Sequence, residues 1–188
     1  MRARPSAVVC AALLIAIGVT GCAAKGPVIT GTPPPPATAG PAQGSTTTTF
    51  GSGTDTAFPC TDLLNDASLA ALDPSLTPDA DYTPTAGSSA EEAVAIKGVA
   101  CSWSDASSLT TLVVTVAKPD AATLATLKTR AGTPTDQFGA FASAYTKGTE
   151  LQLVNSDGYW ATADSPLLAD PAKLTAIGEI LLEELPAG

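Results

Sequence analysis

The chain has 188 residues, with nine basic and 18 acidic side chains, no histidine and a formal charge of −9. That acidity argues against nucleic acid or anionic headgroups as partners. The lack of histidine removes the usual near-neutral general base and the commonest metal ligand, which excludes hydrolase chemistry of the Ser-His-Asp kind.

Arg2 and Arg4 precede 13 uncharged residues, Ala7 to Val19. That run is too short for a bilayer core, which takes about 20 residues. A basic start, a short apolar run and small residues before a cut describe a secretory signal over residues 1–21. The run closes on Val19-Thr20-Gly21-Cys22, which resembles a lipobox, the cleavage and lipidation site of bacterial lipoproteins. The expectation is a mature protein that begins at Cys22 and hangs from the outer face of the cell membrane by acyl chains. Each buried methylene contributes roughly 0.8 kcal/mol, so two or three chains hold where one does not. The plainer alternative is an ordinary cleaved signal with an incidental Cys22. Loss of Arg2 and Arg4 leaves seven basic against 18 acidic side chains, a charge of −11.

Residues 22–57 show no apolar periodicity. They hold Pro33 to Pro36, Thr46 to Thr49 and Gly51-Ser52-Gly53, a composition that buries too little apolar surface to order itself. A disordered Pro/Thr/Gly-rich tether is expected there, stiff at the prolines and loose at the Gly/Ser part.

Of four cysteines, Cys10 leaves with the signal and Cys22 accepts the lipid, so Cys60 and Cys101 are the one intramolecular pair available. Export favours a disulfide between them. Two buried free thiols are the alternative. A zinc site is disfavoured, because two thiolates without histidine do not complete a tetrahedron.

Residues 58–188 are expected to form one globular domain. Thr61 or Asp62 caps a short turn carrying Leu63 and Leu64, and Asp66 caps a second piece that Pro74 ends. Asp73 to Ala90 reads as a long loop. Ala93 to Trp103 alternates as a strand, with Val99, Cys101 and Trp103 on one side, and Leu109 to Ala117 pairs with it as a hairpin. Asp120 caps a helix that runs to Arg130, with Gly132 and Pro134 after it. A third strand holds Tyr145, a fourth Leu151 and Leu153, and a fifth runs from Tyr159 to Ala163. Ser156-Asp157-Gly158 makes the last hairpin turn. Asp170-Pro171 opens the final helix, with Leu174, Ile177, Leu181 and Leu185 at helical spacing. The expected fold is α+β, a single antiparallel sheet of about five strands with helices mainly on one face, in the order α-β-β-α-β-β-β-α.

Candidate sites are few. Asp73, Asp79 and Asp81 lack the glycine and distal glutamate of a calcium loop. Glu91-Glu92 and Glu183-Glu184 are sequence neighbours whose side chains diverge. There is no Gly-x-Ser-x-Gly or Ser-x-x-Lys motif. Tyr145, Tyr159 and Trp160 form a possible binding surface, since aromatics on an outer sheet face stack on sugars, lipids or protein. Packing into the core is the favoured fate for them. Tyr159 and Trp160, as strand neighbours, face opposite ways.

Cys60 before Leu63-Leu64, and then Cys101-Ser102-Trp103 behind a lipobox, resembles a group of actinobacterial lipoproteins of unknown function. The resemblance implies a disulfide and a cell-envelope location, and it brings no catalytic residues and no cofactor. The sequence thus predicts a lipid-anchored, non-enzymatic domain that binds an envelope ligand or partner outside the membrane. The alternative is an accessory subunit docked on another envelope protein. An enzyme working through carboxylates alone would need two acids in one cleft.

Overall fold

The computed structural model describes residues 49–139, 141 and 143–186. The signal, Cys22 and the tether as far as residue 48 lie outside the described residues. No helix among the described residues is long and apolar enough to cross a membrane.

Among the described residues the architecture is α+β, with one antiparallel sheet and five helices. In chain order the elements are β1 (Gly53–Thr54), α1 (Cys60–Leu63), α2 (Asp66–Leu72), β2 (Thr77–Pro78), α3 (Ser89–Ala95), β3 (Val99–Asp105), β4 (Thr110–Pro119) and α4 (Ala121–Thr129). They continue as β5 (Thr133–Thr135), β6 (Ser143–Lys147), β7 (Glu150–Val154), β8 (Trp160–Asp164), a 3-10 turn (Pro166–Ala169) and α5 (Pro171–Glu184). The strands lie in the order β2-β3-β4-β8-β7-β6-β5, and β1 pairs with the far end of β4. Eight strands among the described residues exceed the five expected, the additions being β1, β2 and β5 at two or three residues each. Runs that short leave no periodicity to read.

Two cores flank the sheet. On the first face Cys101, Trp103, Leu112, Val114, Leu151 and Leu153 meet Leu63, Leu64, Leu69 and Leu72 of α1–α2 and Ile177 and Leu181 of α5. A disulfide joins Cys60 to Cys101, with Cα atoms 5.6 Å apart, and fastens the first turn of α1 to β3. On the second face Ala93 and Ile96 of α3 and Leu127 of α4 meet Ala117, Val154 and Trp160. Helices therefore cover both faces rather than mainly one. Strand alternation is the cause: β8 sends Ala161 and Ala163 to the first core and Trp160 to the second, so it is buried on both sides.

Helix α3 replaces the front of an expected strand. Ala93 lies within α3 and β3 starts at Val99. Ser88 caps the helix by accepting from Glu91 N at 3.1 Å, and the Glu91 carboxylate accepts from Gly87 N at 2.6 Å, a variant of the reciprocal Ser-x-x-Glu box. The cap of α2 is Asn65, one residue before the expected Asp66, and it accepts from Ala67 N and Ser68 N. Pro59 precedes α1, so neither Thr61 nor Asp62 caps it. Asp120 and Asp170 cap α4 and α5 as expected, accepting from Thr123 N at 2.7 Å and Ala172 N at 2.9 Å.

The stretch from residue 49 to residue 57, expected as tether, belongs to the fold. Phe50 packs on the second core. Ser52 N donates to Thr123 Oγ1 at 2.9 Å, Ser52 O accepts from Asp120 N at 2.9 Å, and Thr56 N donates to Lys97 O at 3.0 Å. Gly51-Ser52-Gly53 is not loose spacer here. A Cβ on Gly53 would stand 2.6 Å from Ile96 O, and one on Gly51 would stand 2.1 Å from the Thr123 side chain. Glycine is what allows the strap to lie this close.

Candidate functional site

The second sheet face changes character along its strands. Register sets three successive rungs. The first is Val154–Trp160–Ala117, apolar and covered by α3 and α4. The second is Tyr145–Gln152–Thr162–Thr115, polar and uncharged. The third is Lys147–Glu150–Asp164, with a charge on each of three adjacent strands.

Two hydrogen bonds tie down the buried part of the middle rung. Thr115 Oγ1 and Thr162 Oγ1 lie 2.7 Å apart in a buried hydrogen bond, and Trp160 Nε1 donates to Gln152 Oε1 at 3.4 Å. A hydroxyl pair buried without partners would cost a few kcal/mol. Paired, it carries the polar gradient beneath the sheet surface.

The charged rung floors a groove of about 380 Å³, walled by Tyr82 and by the residues leading into α3, Thr85 to Ser89. The Glu150 carboxylate accepts from Ser89 Oγ, and Asp164 Oδ1 accepts from Thr149 Oγ1 at 2.9 Å. Among the described residues the ion pair within 4 Å is Arg130 with Glu92, so Lys147, Glu150 and Asp164 present their charges to the groove without an ionic partner. Tyr82 is half-buried. Burial pushes its phenol pKa up, and the negative charges of Asp164 and then Asp79 push the same way. Tyr82 therefore stays a neutral hydrogen-bond donor at physiological pH.

The arrangement can accept hydrogen bonds at two neighbouring carboxylates, donate them from an ammonium and a phenol, and offer one aromatic wall. Glu150 and Asp164 are the two acids that meet in the groove, but both remain open to water. A working acid–base pair needs environments that drive its two pKa values apart. No group of three or more His, Cys, Asp or Glu among the described residues is placed to hold a metal ion.

The aromatic candidates separate. Trp160 is 2 % exposed and sits in the second core, so it is not a binding surface; α4, which the sequence placed with the other helices, closes over it. Tyr159 packs on the first core, edge-on to Phe58 at 6.1 Å between ring centres, with Lys118 Nζ 4.6 Å from its own. Tyr145 is half-buried on the second face beside Leu127 and Trp160. They do not form one surface. Among the acids, Asp73 accepts from Ser75 and Asp79 from Asp81 N, both local contacts, while Glu92 accepts from Arg130 and ties α3 to the end of α4.

Comparison with protein-family models, with curated proteins and with solved structures finds no match for the chain. The groove residues Tyr82, Lys147, Glu150 and Asp164 carry no motif. Their signal is the register: pairs in the β7–β8 hairpin lie equally far from Asp157, which puts Glu150 opposite Asp164 and Val154 opposite Trp160.

Proposed function

We propose that the chain is a lipid-anchored protein of the cell envelope, held by Cys22 on the outer face of the membrane, whose domain binds a polar ligand without chemically altering it. Export and anchoring rest on the signal, on Val19-Thr20-Gly21-Cys22 and on the likeness to actinobacterial lipoproteins. The observation that carries the binding role is the groove over the second sheet face, where three charged side chains on adjacent strands lack ionic partners. Buried polar groups in a fold are normally paired off within it; open ones lining a concavity of a few hundred Å³ suit a ligand. The two carboxylates, both solvated, favour recognition over acid–base work.

Docking on another envelope protein is the second reading. Leu109, at the tip of the β3–β4 hairpin, is 88 % exposed with φ +56°, and an apolar side chain held out in the left-handed region favours contact with a partner. The tip lies at the end of β4 opposite the one that pairs with β1.

A photo-crosslinking residue placed at 147 or at 109 in intact cells separates the two. Adducts from position 147 alone support the groove. Adducts from 109 alone overturn it in favour of docking. Cys22→Ser tests the anchor: the variant is expected to stay unprocessed and to lose firm attachment to membranes, and normal processing and retention would contradict lipidation.

A further inference from the structure

The charged rung that floors the groove does not stop at Asp164. Register continues it through Val113 on β4 to Ser102 on β3, on the same face of the sheet. Val113 lines the groove beside Asp164. Ser102 is 4 % exposed, and its Oγ is buried without a hydrogen-bond partner among the described residues. A hydroxyl left this way costs the fold stability. The chain between β2 and α3, which walls the groove with Tyr82 and Thr85, is fastened beside it by Asp79 N donating to Ser102 O at 2.8 Å. Residues 79–87 are largely exposed, so this wall can move to let a ligand side chain reach Ser102.

The free atoms along the rung have an order. Ser89 Oγ donates to one oxygen of Glu150 and Thr149 Oγ1 to one oxygen of Asp164, which leaves Glu150 Oε2 and Asp164 Oδ2 without a donor among the described residues. The two carboxylates are direct cross-strand neighbours, a like-charge placement that weakens a sheet until a cation joins them. Lys147 stands opposite Glu150 on β6. The rung therefore offers an uncharged hydroxyl, two accepting carboxylates and an ammonium.

That order limits the ligand. An anion meets two carboxylates on a chain of charge −9. A neutral sugar leaves the like charges uncompensated. A plain amine or a metal ion is repelled by Lys147. A zwitterion answers all three charges, since an ammonium donates three hydrogen bonds and a carboxylate only accepts. From Asp164 to Ser102 is two strand spacings, about 10 Å, the reach of a polar side chain of four or five atoms and a hydrogen bond. A space of about 380 Å³ suits one such molecule.

We propose that the groove binds a free α-amino acid with an uncharged polar side chain: its ammonium on Glu150 and Asp164, its carboxylate on Lys147 and its side chain on Ser102. This rests on the groove being the ligand site.

The test uses the full mature lipoprotein in a zwitterionic detergent free of amino acids. The probes are L-glutamine, L-leucine, and two analogues of glutamine that each keep one charge, L-glutaminamide and N-acetyl-L-glutamine. Calorimetry is expected to show glutamine binding at least tenfold more tightly than either analogue and at least threefold more tightly than leucine. Hydrogen exchange is expected to slow at residues 80–90 and 147–152. E150Q/D164N is expected to weaken glutamine binding at least tenfold with an unchanged melting temperature, and L109G is expected to bind as before. S102A is expected to erase the preference for glutamine over leucine without melting lower, because the hydroxyl it removes has no partner in the fold. Equal binding of a single-charge analogue, a preference for leucine, a preference for glutamine that survives S102A, or no binding of any probe overturns the proposal. If position 147 still crosslinks in cells, the failure is in the ligand class; if it does not, the groove itself is the wrong site.

Discussion

Replacing Gly53 by alanine should release the strap while leaving the rest of the domain folded. The added methyl would stand 2.6 Å from Ile96 O and 2.9 Å from Lys118 O. Both are backbone atoms, fixed by α3 and by the β4 ladder, so neither can swing aside. Overpacking of this kind costs about 1–3 kcal/mol, offset by about 0.4–1 kcal/mol because alanine stiffens the unfolded chain. Against that stand the pairing of Gly53 and Thr54 with Pro119 and Lys118, and the bonds from Ser52 N, Thr56 N and Asp120 N, at about 0.5–1.5 kcal/mol net for each hydrogen bond. The two sides are of similar size, so a local opening is expected rather than global unfolding. Residue-resolved hydrogen exchange on the full chain reads it directly: the amides of Ser52, Thr56 and Asp120 should exchange roughly tenfold faster for each 1.4 kcal/mol lost. Gly87→Ala is the control. Its φ is +80° and nothing lies within 4 Å of the added Cβ, so those three amides should be unaffected. Unchanged exchange at all three in G53A, with an unchanged melting temperature, would refute the close-packed strap.

The Cys60–Cys101 bond spans 41 residues, which in the chain-entropy model stabilises the fold by about 4 kcal/mol. Reduction should lower the calorimetric melting temperature by roughly 10 °C or more, and an unmoved transition would mean that the two sulfurs are not bonded. Asp105 is held well below the usual carboxylate range by the hydroxyls of Ser108 and Ser107, while the Ser52 hydroxyl and Thr123 N lower the pKa of Asp120, and Ser75 lowers that of Asp73. Because these pKa values are lower folded than unfolded, their contribution is present above about pH 4 and is lost as pH falls below it. The urea midpoint should therefore drop steeply from pH 4 to pH 2, less so in D105N; a flat profile would contradict the caps and turns assigned to these acids. Leu109→Gly relieves a left-handed leucine that touches little and should raise stability by up to about 1 kcal/mol in urea melts, whereas a loss would mean that Leu109 packs on the domain after all.

Much of the first core was legible because its spacing is regular. Val99, Cys101 and Trp103 alternate, as do Leu112, Val114 and Val116, and Ile177 and Leu181 keep helical spacing; all lie where the pattern puts them. Helix α3 was missed although Ser88 and Glu91 stand at capping-box spacing. The cause is Ala93-Val94-Ala95-Ile96, an apolar run whose type periodicity alone does not decide. The strap was missed because Gly-Ser-Gly has the same composition whether it is free or wedged against backbone. The sequence could show that Trp160 and Tyr159 diverge but not which of them is covered, because that depends on the side of the sheet to which α4 crosses. The charged rung was missed for a related reason. Lys147, Glu150 and Asp164 are scattered acids and a base until the turn at Asp157 fixes the register, and then they fall in line.

The central claim is that the second sheet face, and not the hairpin tip, receives the ligand. Hydrogen exchange on the full mature chain, with and without solubilised envelope material, tests it most directly. Slower exchange at residues 85–92 and 147–152, with residues 105–110 unchanged, is the predicted result. Protection at 105–110 alone, or at none of these segments, would contradict it.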